Sequence, residues 1–324
     1  MPKTEDIIRK SGVSRSTLFR FLRGDNVRPE AKKAILSAMH ELGCETGSLV
    51  MKDIVLEISV SKEFERFKGF TEVIQGITER AEERNVKVQL VIRSGDQITR
   101  DYEKWNENGS TKGILIIGKD IDDEVKEGAL LRQKKIPHLF INRVMEEPDE
   151  SYIAVDVRKA ACELVCYLLD KGYRKIATLG YPDLRRIDRD KLNGCYDAFN
   201  KYGLKMDKQF IHLLKDGETT EDAIQAILGS DHLPDAFFGI CDSHAMQFIN
   251  FANRSGLKVP EDIAVVGMDD LDIAQYFKPS LTTVRTPFRK IGLMAVDHLL
   301  LLITEDLGSI KTIVKHELFT REST

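Results

Sequence analysis

From about residue 53 onward, apolar runs of strand length alternate with segments of helical periodicity, and no other feature constrains the fold as strongly. Such alternation is typical of parallel βαβ construction. Strands are predicted at Ile54–Val60, Val86–Ile92, Ile114–Ile117, Ile136–Ile141, Ile176–Leu179, Phe210–Leu214, Ala236–Ile240 and Ala264–Val266. Helices are predicted near residues 70–85, 97–108, 122–134, 158–171, 189–202, 220–229 and 243–255.

These strands are too many for one half-domain, so we expect two similar α/β lobes. The chain is predicted to cross between them near Tyr152–Asp156 and again near Thr282–Thr286. Ligands of open parallel sheets bind beyond the carboxyl ends of the strands. The sequence therefore predicts a two-lobed core with a ligand cleft lined by those loops.

The first 45 residues are different, because they show helical periodicity only. One helix is expected from Thr4 to about Lys10, a second follows with Ser14 as its N-cap, and a third starts at Pro29. Residues Gly24–Asn26 are expected to end the second helix and Gly43 the third. Three short helices in this space favour a helix-turn-helix module.

Charge supports a separate role for this head. The chain has a formal net charge of -4, yet residues 1–45 carry nine Lys/Arg against six Asp/Glu, a net of +3. A basic head on an acidic body suits a nucleic-acid partner. An ordinary pair of surface helices with solvated charges would show the same excess, so charge alone leaves both readings open.

The segment from Gly12 to Gly24, GVSRSTLFRFLRG, is the sharpest local signal. A tight glycine turn leads into a Ser-capped helix, and its early exposed residues Arg15, Ser16 and Arg20 could reach base edges in a major groove. On the expected cleft side of the second lobe, Arg189-Asp190-Lys191 precedes a helix and Met268-Asp269-Asp270 follows a strand. Charged groups there can orient a polar ligand, although solvated loop charge is an equal alternative.

Several classes of protein are excluded or disfavoured. No apolar run approaches the ~20 residues of a membrane span, and the start has charge where a signal peptide is apolar. Five cysteines without a CxxC pair suit a reducing compartment. We therefore expect a cytoplasmic protein without a membrane partner. The stretch Gly113–Asp120 resembles a phosphate loop, but its apolar residues predict a buried strand, so no cofactor is expected. Cys162 and Cys166 are predicted to pack in the core, so no metal is expected either.

Ordered motifs along the chain resemble those of the LacI/GalR family of transcriptional regulators. In the head, Thr4-Glu5-Asp6-Ile7-Ile8 with Gly12-Val13-Ser14, Thr17, Arg20, Leu22 and Gly24 is similar to T-x-x-D-V-A…G-V-S-x-x-T-V-S-R-V-L-N-G. In the core, Lys171–Ala177 is similar to L-G-H-R-R-I-A and Val259–Asp270 to V-P-E-D-V-S-V-V-G-F-D-D. Pro279–Val284 and Arg321–Thr324 complete the series.

The resemblance implies a homodimer with a type I periplasmic-binding-protein-like core, a pseudo-palindromic double-stranded DNA operator, and a small polar effector such as a sugar or related metabolite. It implies that effector binding shifts the population of DNA-competent heads. By position, Arg15, Ser16 and Arg20 would read bases, Ser14 and Thr17 would meet phosphates, and Arg28 would add charge near the DNA backbone. The implied effector-binding residues are Phe70, Asn142, Arg189, Lys191, Cys241 and Asp269.

The chain also departs from the family pattern. Residues Cys44–Lys52 are shorter than the usual connection and lack the N-x-x-A-R-x-L hinge motif, so we expect flexibly tethered heads that read a less bent site. Lys191 replaces the usual arginine, Asn142 the usual aspartate and Cys241 the usual asparagine. The polar set for a plain sugar is therefore incomplete.

These observations predict an α/β protein with three parts. Residues 1–45 form the helix-turn-helix domain, 46–52 a short linker, and 53–324 the effector-binding and dimerisation domain. Lobe 1 covers about 53–154 and 285–308, and lobe 2 about 155–284 and 309–324.

The expected function is a ligand-responsive DNA-binding regulator, with repression favoured because the family is mostly repressors. The alternative is a cytoplasmic small-molecule sensor with little specific DNA affinity, since the hinge motif is missing. An α/β enzyme is a third reading, but no nucleophile–base pair stands at recognisable spacing.

Overall fold

The computed structural model describes residues 4–22, 27–42, 54–62, 64, 67, 69–105, 111–180, 186–215, 217–305 and 308–324. The chain folds as two units. The first comprises residues 1–141, 145–152 and 288–311, and the second comprises residues 142–144, 153–287 and 312–324. The predicted linker, 46–52, lies outside the described residues.

Three helices form the head: α1 (Thr4–Ser11), α2 (Arg15–Leu22) and α3 (Pro29–Glu41). Their apolar faces meet in a small core in which Ile7, Leu18, Ile35 and Met39 are fully buried. Gly12, between α1 and α2, has φ +69°, a left-handed conformation that glycine adopts at little cost. The predicted helices and the glycine turn are confirmed, whereas the predicted stops at Gly24–Asn26 and Gly43 lie outside the described residues.

One six-stranded sheet lies largely in the first unit. Its strands are β1 (Val55–Val60), β2 (Lys87–Ile92), β3 (Thr111–Ile117), β4 (His138–Ile141), β5 (Tyr152–Ala154) and β11 (Lys311–Ile313), in the order β11-β5-β4-β3-β1-β2. The pairs β1–β2, β1–β3 and β3–β4 are parallel. The accompanying helices are α4 (Phe70–Glu83), α5 (Asp96–Glu103), α6 (Ile121–Gln133) and α11 (Phe288–Thr304).

The second unit repeats this plan. Its strands are β6 (Ile176–Gly180), β7 (Ile211–Leu213), β8 (Ala236–Gly239), β9 (Ala264–Asp269), β10 (Thr282–Arg285) and β12 (Glu317–Phe319), in the order β12-β10-β9-β8-β6-β7. All neighbours are parallel except β10 and β12. The helices are α7 (Val157–Asp170), α8 (Arg186–Lys201), α9 (Thr220–Leu228) and α10 (Asp242–Arg254).

The α/β fold with two parallel sheets is confirmed, and each of the eight predicted strands exists. Five of the predicted strand starts differ from the observed ones by one to three residues, and two of these differences have a clear local cause. Phe210 belongs to a 3-10 turn, Lys208–Phe210, because Asp207 caps that turn through the backbone N–H of Gln209. β4 begins at His138, since Lys135 has a left-handed φ of 54° and the chain is still turning there.

Parallel pairing fixes where functional side chains can stand, because the carboxyl ends of parallel strands meet at one edge of a sheet. In the second unit, β8, β9 and β10 are adjacent and end near Ile240, Asp269 and Arg285. Helix α10 follows β8 directly, and the ring of Phe248 on that helix stacks on Phe237 of β8 at 3.9 Å. This packing sets the N-terminus of α10 at the same edge.

Candidate nucleic-acid interface and ligand site

The start of α2 is fixed by Ser14. Its hydroxyl oxygen accepts a hydrogen bond from the backbone N–H of Thr17 at 3.1 Å, as an N-cap should, so this prediction is confirmed. The same hydroxyl lies 2.9 Å from Ser16 Oγ and 2.8 Å from Thr17 Oγ1. Three hydroxyls are thereby gathered at the N-terminus of a helix, where the macrodipole favours a negatively charged group.

One face of α2 points away from the head core. Ser16 and Arg20 are four residues apart and therefore share a face, and Leu18, buried in the core, lies on the opposite side. Arg15, Ser16 and Arg20 are all exposed. The helix thus presents two guanidinium groups and a hydroxyl, which suits contact with base edges and phosphates.

A surface groove of about 500 Å³ lies between α2 and the start of α3. Its lining residues are Val13, Thr17, Arg20, Val27, Arg28 and Ala31. The backbone carbonyl of Arg28 accepts the N–H of Lys32, so Arg28 stands at the first turn of α3 with an exposed side chain. The structure therefore brings Thr17, Arg20 and Arg28 to one groove.

Two ion pairs of the head join residues of α1 and α3. Asp6 pairs with Arg9 within α1 at 2.9 Å, and Glu41 of α3 pairs with Lys10 at 2.9 Å. Helix α2 itself contains no acidic residue. The positive charge of the head is therefore concentrated on α2 and the start of α3, although the DNA-contacting roles of these residues remain predictions.

In the second unit, Lys191 and Asp269 form the centre of the candidate ligand site. The Lys191 ammonium donates a hydrogen bond to the Ile240 carbonyl at 2.6 Å and lies 3.8 Å from Asp269 Oδ1. Burial alone would lower the pKa of Lys191, but the carboxylates of Asp269 and then Asp188 raise it above its ordinary value. Lys191 thus remains a charged group at the carboxyl edge of the sheet.

The loop after β9 has a strained backbone. Asp269 and Asp270 have φ of 115° and 54°, values that non-glycine residues rarely adopt and that cluster at functional sites. Asp270 is held by two arginines, since Arg285 and Arg321 each place a guanidinium nitrogen 2.6 Å from its carboxylate. The strained loop is therefore fixed from β10 and from the end of the chain.

Sequence reasoning missed Asp242, the first residue of α10. Its side chain is fully buried and accepts two hydrogen bonds, from the Thr283 hydroxyl at 2.5 Å and from the Leu271 backbone N–H at 2.7 Å. Burial, and next the charge of Asp269, raises the pKa of Asp242 to about 8. The available signal was its place at the carboxyl end of β8, directly after the singled-out Cys241.

Two other predicted ligand residues of the second unit, Arg189 and Cys241, lie in different environments. Arg189 is exposed and lies two residues from buried Lys191, on the opposite face of α8. The thiol of Cys241 is near the centre of the site, and burial followed by the charge of Asp269 raises its pKa to about 12. Cys241 is therefore a neutral thiol at neutral pH, whereas Arg189 is not brought to the Lys191 side of its helix.

Phe70 is the first residue of helix α4, and Asn142 directly follows strand β4 of the first sheet. Phe70 starts α4, and its ring centroid is 4.6 Å from that of Phe64. Asn142 follows β4 with φ 57°, and its buried Oδ1 has no hydrogen-bond partner among the described residues. A buried amide oxygen without a partner is costly, so this position suits a donor brought by a ligand.

The phosphate-loop-like stretch of the first unit is a buried strand, as predicted. Residues Thr111–Ile117 form β3, and Asp120 caps α6 by accepting the N–H of Asp123 at 2.8 Å. Lys119 is buried and pairs with Glu127 at 2.9 Å. Its ammonium is therefore committed to an internal ion pair.

Three cysteines of the second unit, Cys162, Cys166 and Cys195, lie on helices α7 and α8. Cys166 and Cys195 are buried and Cys162 is partly buried, and burial raises the pKa of Cys162 to about 11. Within the described ranges, no group of three His, Cys, Asp or Glu side chains is arranged to hold a metal ion. No helix in the described part of the chain is long and apolar enough to cross a membrane.

Comparison with known proteins agrees with this architecture. Residues 165–324 match the family model of the periplasmic binding protein-like domain. The HTH-type transcriptional repressor PurR of Photobacterium profundum is 27% identical over 312 residues, which are 93% of this chain and 91% of PurR.

Two solved structures show the same fold. A complex of the transcriptional regulator CelR with cellobiose has a TM-score of 0.74 at 24% identity and covers all of both chains. The lac repressor dimer bound to operator and the anti-inducer ONPF has a TM-score of 0.70 at 21% identity, covering 99% of this chain and 98% of that one.

A three-helix DNA-binding type of head followed by a type I periplasmic-binding-protein-like core defines a ligand-responsive regulator of transcription. The chain is therefore similar to transcriptional regulators of the LacI/GalR family, as its motifs predict, and its residues 165–324 match the periplasmic binding protein-like domain.

Proposed function

We propose that the protein binds a pseudo-palindromic DNA operator as a homodimer and represses transcription in response to a small polar effector. The observation that supports DNA binding most directly is the surface of α2, where Ser16 and Arg20 are exposed on the face opposite buried Leu18 and Arg15 is exposed at the start of the helix. The lac repressor dimer, which shares this fold, is described bound to its operator. The proposed division into a head at 1–45, a linker at 46–52 and a core at 53–324 follows from this reading.

Different residues of the interface have different tasks in this proposal. Arg20 and Arg15 carry the bidentate donors that recognise guanine, and Ser16 between them accepts either kind of base-edge partner. Ser14 and Thr17 stand at the N-terminus of α2, where hydroxyls and backbone N–H groups meet phosphate oxygens. Arg28, across the groove, adds a further cation for the backbone.

The effector is proposed to engage the carboxyl edge of the second sheet. Asp269 offers acceptor oxygens to hydroxyl donors, and the Lys191 ammonium offers a donor beside it. CelR, of the same fold, is described in complex with cellobiose. Cys241 adds a neutral thiol to this edge, and a carbohydrate or a related polar metabolite is the expected ligand class. Phe70, Asn142 and Arg189 stay predicted effector residues on the strength of the family resemblance, although Arg189 lies on the other face of α8 from Lys191.

A surface for the second copy is proposed on the loop after β9. Ile273 and Tyr276 are 56% and 74% exposed, unusually high fractions for large apolar and aromatic side chains next to a rigid loop. Aromatic side chains are enriched in the central parts of protein interfaces. These residues lie in the turn Asp272–Gln275 and directly after it.

Replacing Tyr276 with aspartate is expected to raise the dimer dissociation constant about 30-fold or more, as for loss of an interface residue worth ~2 kcal/mol. Sedimentation velocity over a protein dilution series measures this change. Leu213→Asp, on edge strand β7 of the same unit, is the matched control, because Leu213 is also exposed. Equal dimerisation of the Tyr276 variant and the wild type would contradict this surface.

Replacing Asp269 with alanine is expected to abolish the effector response while DNA binding remains, because the carboxylate acceptor for ligand hydroxyls is lost. Thermal shifts with a panel of mono- and disaccharides that includes cellobiose, followed by DNA affinity measured with each stabilising sugar, test this. Asp231→Ala removes an exposed carboxylate of the same unit and should respond like wild type. A full response in the Asp269 variant would remove Asp269 from the site.

The experiment that tests operator binding is selection of bound duplexes from a random DNA pool with the purified protein. Enrichment of an inverted repeat is expected from two heads related by a two-fold axis. Selection at two salt concentrations separates sequence preference from phosphate attraction, which binds any sequence. No enrichment would favour the alternative of a small-molecule sensor with little specific DNA affinity.

A further inference from the structure

The loop between β9 and β10, residues 270–281, is held at both ends by one arginine that belongs to neither strand. One terminal nitrogen of the Arg321 guanidinium donates to the Asp270 carboxylate at 2.6 Å, and the other donates to the Leu281 carbonyl at 2.7 Å. The Leu281 N–H in turn donates to the carbonyl of Ala274, in the middle of the loop, at 2.9 Å. Arg321 therefore joins the first and the last residue of the loop.

Charge neutralisation alone does not require Arg321. The Asp270 side chain is only 3% exposed, and Arg285 already directs Nε and a terminal nitrogen at its Oδ2, each at 2.6 Å. A guanidinium with two such hydrogen bonds balances the charge of one carboxylate. Within the described ranges, the side-chain hydrogen bonds of Arg285 all go to Asp270. Arg321 differs because its planar fork also reaches the Leu281 carbonyl at the far end of the loop.

The loop needs a restraint because it starts from a strained backbone. Asp269 and Asp270 have φ of 115° and 54°, and such values cost free energy in residues other than glycine. Strained backbone persists only where the surrounding contacts over-determine it. Asp269 stands directly before the loop, with its Oδ1 3.8 Å from the Lys191 ammonium. The position of the Asp269 carboxylate therefore depends on how firmly the next residue is held.

The backbone around Arg321 is fixed independently of the Arg321 side chain. The Arg321 N–H donates to the Thr282 hydroxyl oxygen at 2.8 Å. Ser323 is fully buried, and its N–H donates to the Ser280 carbonyl at 3.0 Å. The Ser323 hydroxyl donates to the Val265 carbonyl at 2.6 Å and accepts the Thr282 N–H at 2.8 Å. The chain at Arg321 should therefore stay docked when the guanidinium alone is changed.

We propose that Arg321 is a positioning residue of the effector site, and that its guanidinium holds residues 270–281 as one rigid segment by bridging the two ends. This segment keeps Asp269 in place at the carboxyl edge of the second sheet. It also contains Ile273 and Tyr276, so the same bridge supports the surface proposed for the second copy. The parts of this inference that concern effector binding and dimerisation rest on the roles proposed above for Asp269 and Tyr276, whereas the bridge itself does not.

Hydrogen exchange of the loop amides, measured on the full-length protein at pH 7 without DNA or effector, tests the bridge. The Ala274 amide donates to the Leu271 carbonyl at 2.7 Å, and the Leu281 amide donates to the Ala274 carbonyl at 2.9 Å. Arg321→Lys keeps the positive charge but has no planar fork for two acceptors. Protection factors of both amides are expected to fall about tenfold or more, as for loss of one hydrogen bond to a charged group. Amides of β8 should not change, because a local opening of the loop leaves the sheet intact.

Arg285→Ala is the matched control. Arg285 binds the same carboxylate, and both guanidiniums lie over the ring of Phe319, at 4.1 Å for Arg285 and 5.4 Å for Arg321. Arg285 is half exposed and does not bridge the loop, so its removal should lower the protection of the loop amides about threefold or less.

Chemical rescue separates the planar fork from its charge. Arg321→Ala removes the side chain and should lower the protection of the loop amides at least as much as Arg321→Lys does. Ethylguanidinium added to Arg321→Ala supplies a fork that can reach both acceptors, so it should restore protection. Ethylammonium at the same concentration carries the same charge without the fork and should not restore it.

Unchanged protection of the loop amides in Arg321→Lys would overturn the proposal, because one charge would then suffice. Equal rescue by ethylammonium, or an equal loss of protection in Arg285→Ala, would overturn it for the same reason. Equal losses in the loop and in β8, or failure of both Arg321 variants to fold, would mean that Arg321 supports the whole unit, which also contradicts the proposal.

These measurements do not depend on the proposed function. A failed operator selection, or a full effector response in Asp269→Ala, leaves the exchange results standing, since exchange reports on the loop alone. Conversely, unchanged exchange in the Arg321 variants would leave operator binding untouched. The two proposals can therefore fail separately.

Discussion

Replacing Glu127 with alanine is expected to destabilise the protein by about 3–5 kcal/mol, the usual cost of breaking a buried ion pair. Lys119 and Glu127 have fully buried side chains and lie 2.9 Å apart. Ser59 donates a hydrogen bond to Glu127 at 2.6 Å, and Tyr102 donates a second to the same oxygen. The variant leaves a buried ammonium and two hydroxyls without their carboxylate.

Chemical denaturation at several pH values measures this change. Burial lowers the pKa of Lys119 even in the intact pair, and removal of Glu127 takes away the main group that raises it. The unfolded variant would then bind a proton that the folded variant does not, so its stability should rise from pH 7 to pH 10. The double variant Lys119→Met with Glu127→Leu should recover most of the loss. A loss below about 1 kcal/mol would contradict the ion pair.

Replacing Arg20 with alanine is expected to weaken operator binding by about 1–3 kcal/mol, which is roughly 5- to 150-fold. Arg20 is exposed on the face of α2 opposite the head core and lines the groove shared with Arg28. Loss of a base-reading arginine also relaxes specificity at one position of each half-site. Fluorescence anisotropy with the selected duplex and with single-base variants of it measures both effects.

Arg9→Ala is the matched control for this substitution. Arg9 is an exposed arginine of the same head, but it lies on α1 and pairs with Asp6. Its removal should change affinity much less and should not alter base preference. Equal losses for both variants, without a change in base preference, would mean that Arg20 contributes charge alone.

Much of the fold could be predicted because its long elements carry strong periodicity. Helix α2 and its cap were predictable from Ser14 and from the apolar spacing of Leu18 and Phe21. Strands β5, β10, β11 and β12 were not predicted. Each is only three or four residues long, which is too short for a pattern, and the first two fall in the segments expected to cross between lobes.

The candidate ligand site was only partly accessible from the sequence. The end of β9 identified Asp269, because carboxyl ends of parallel strands are where ligands bind. Burial of Lys191 and exposure of Arg189 depend on the rotation of α8, which two neighbouring charges do not define. Asp242 was missed because its partners, Leu271 and Thr283, are 29 and 41 residues away in the chain.

The Lys119–Glu127 pair was missed for a related reason. A lysine directly after a strand was considered only as part of a phosphate loop, and Glu127 lies on a helix with many other charges. Which of these carboxylates turns inward depends on the packing of α6 against β1 and α5. Local sequence contains no information on that packing.

The central claim, sequence-specific DNA binding by two heads, is tested most directly by comparing two duplexes at two salt concentrations. One contains the selected inverted repeat and the other has the same composition in scrambled order. We predict a preference of about 10³ or more for the repeat at both concentrations, while both affinities fall as salt rises. Equal affinity for the two duplexes at each concentration would contradict the account.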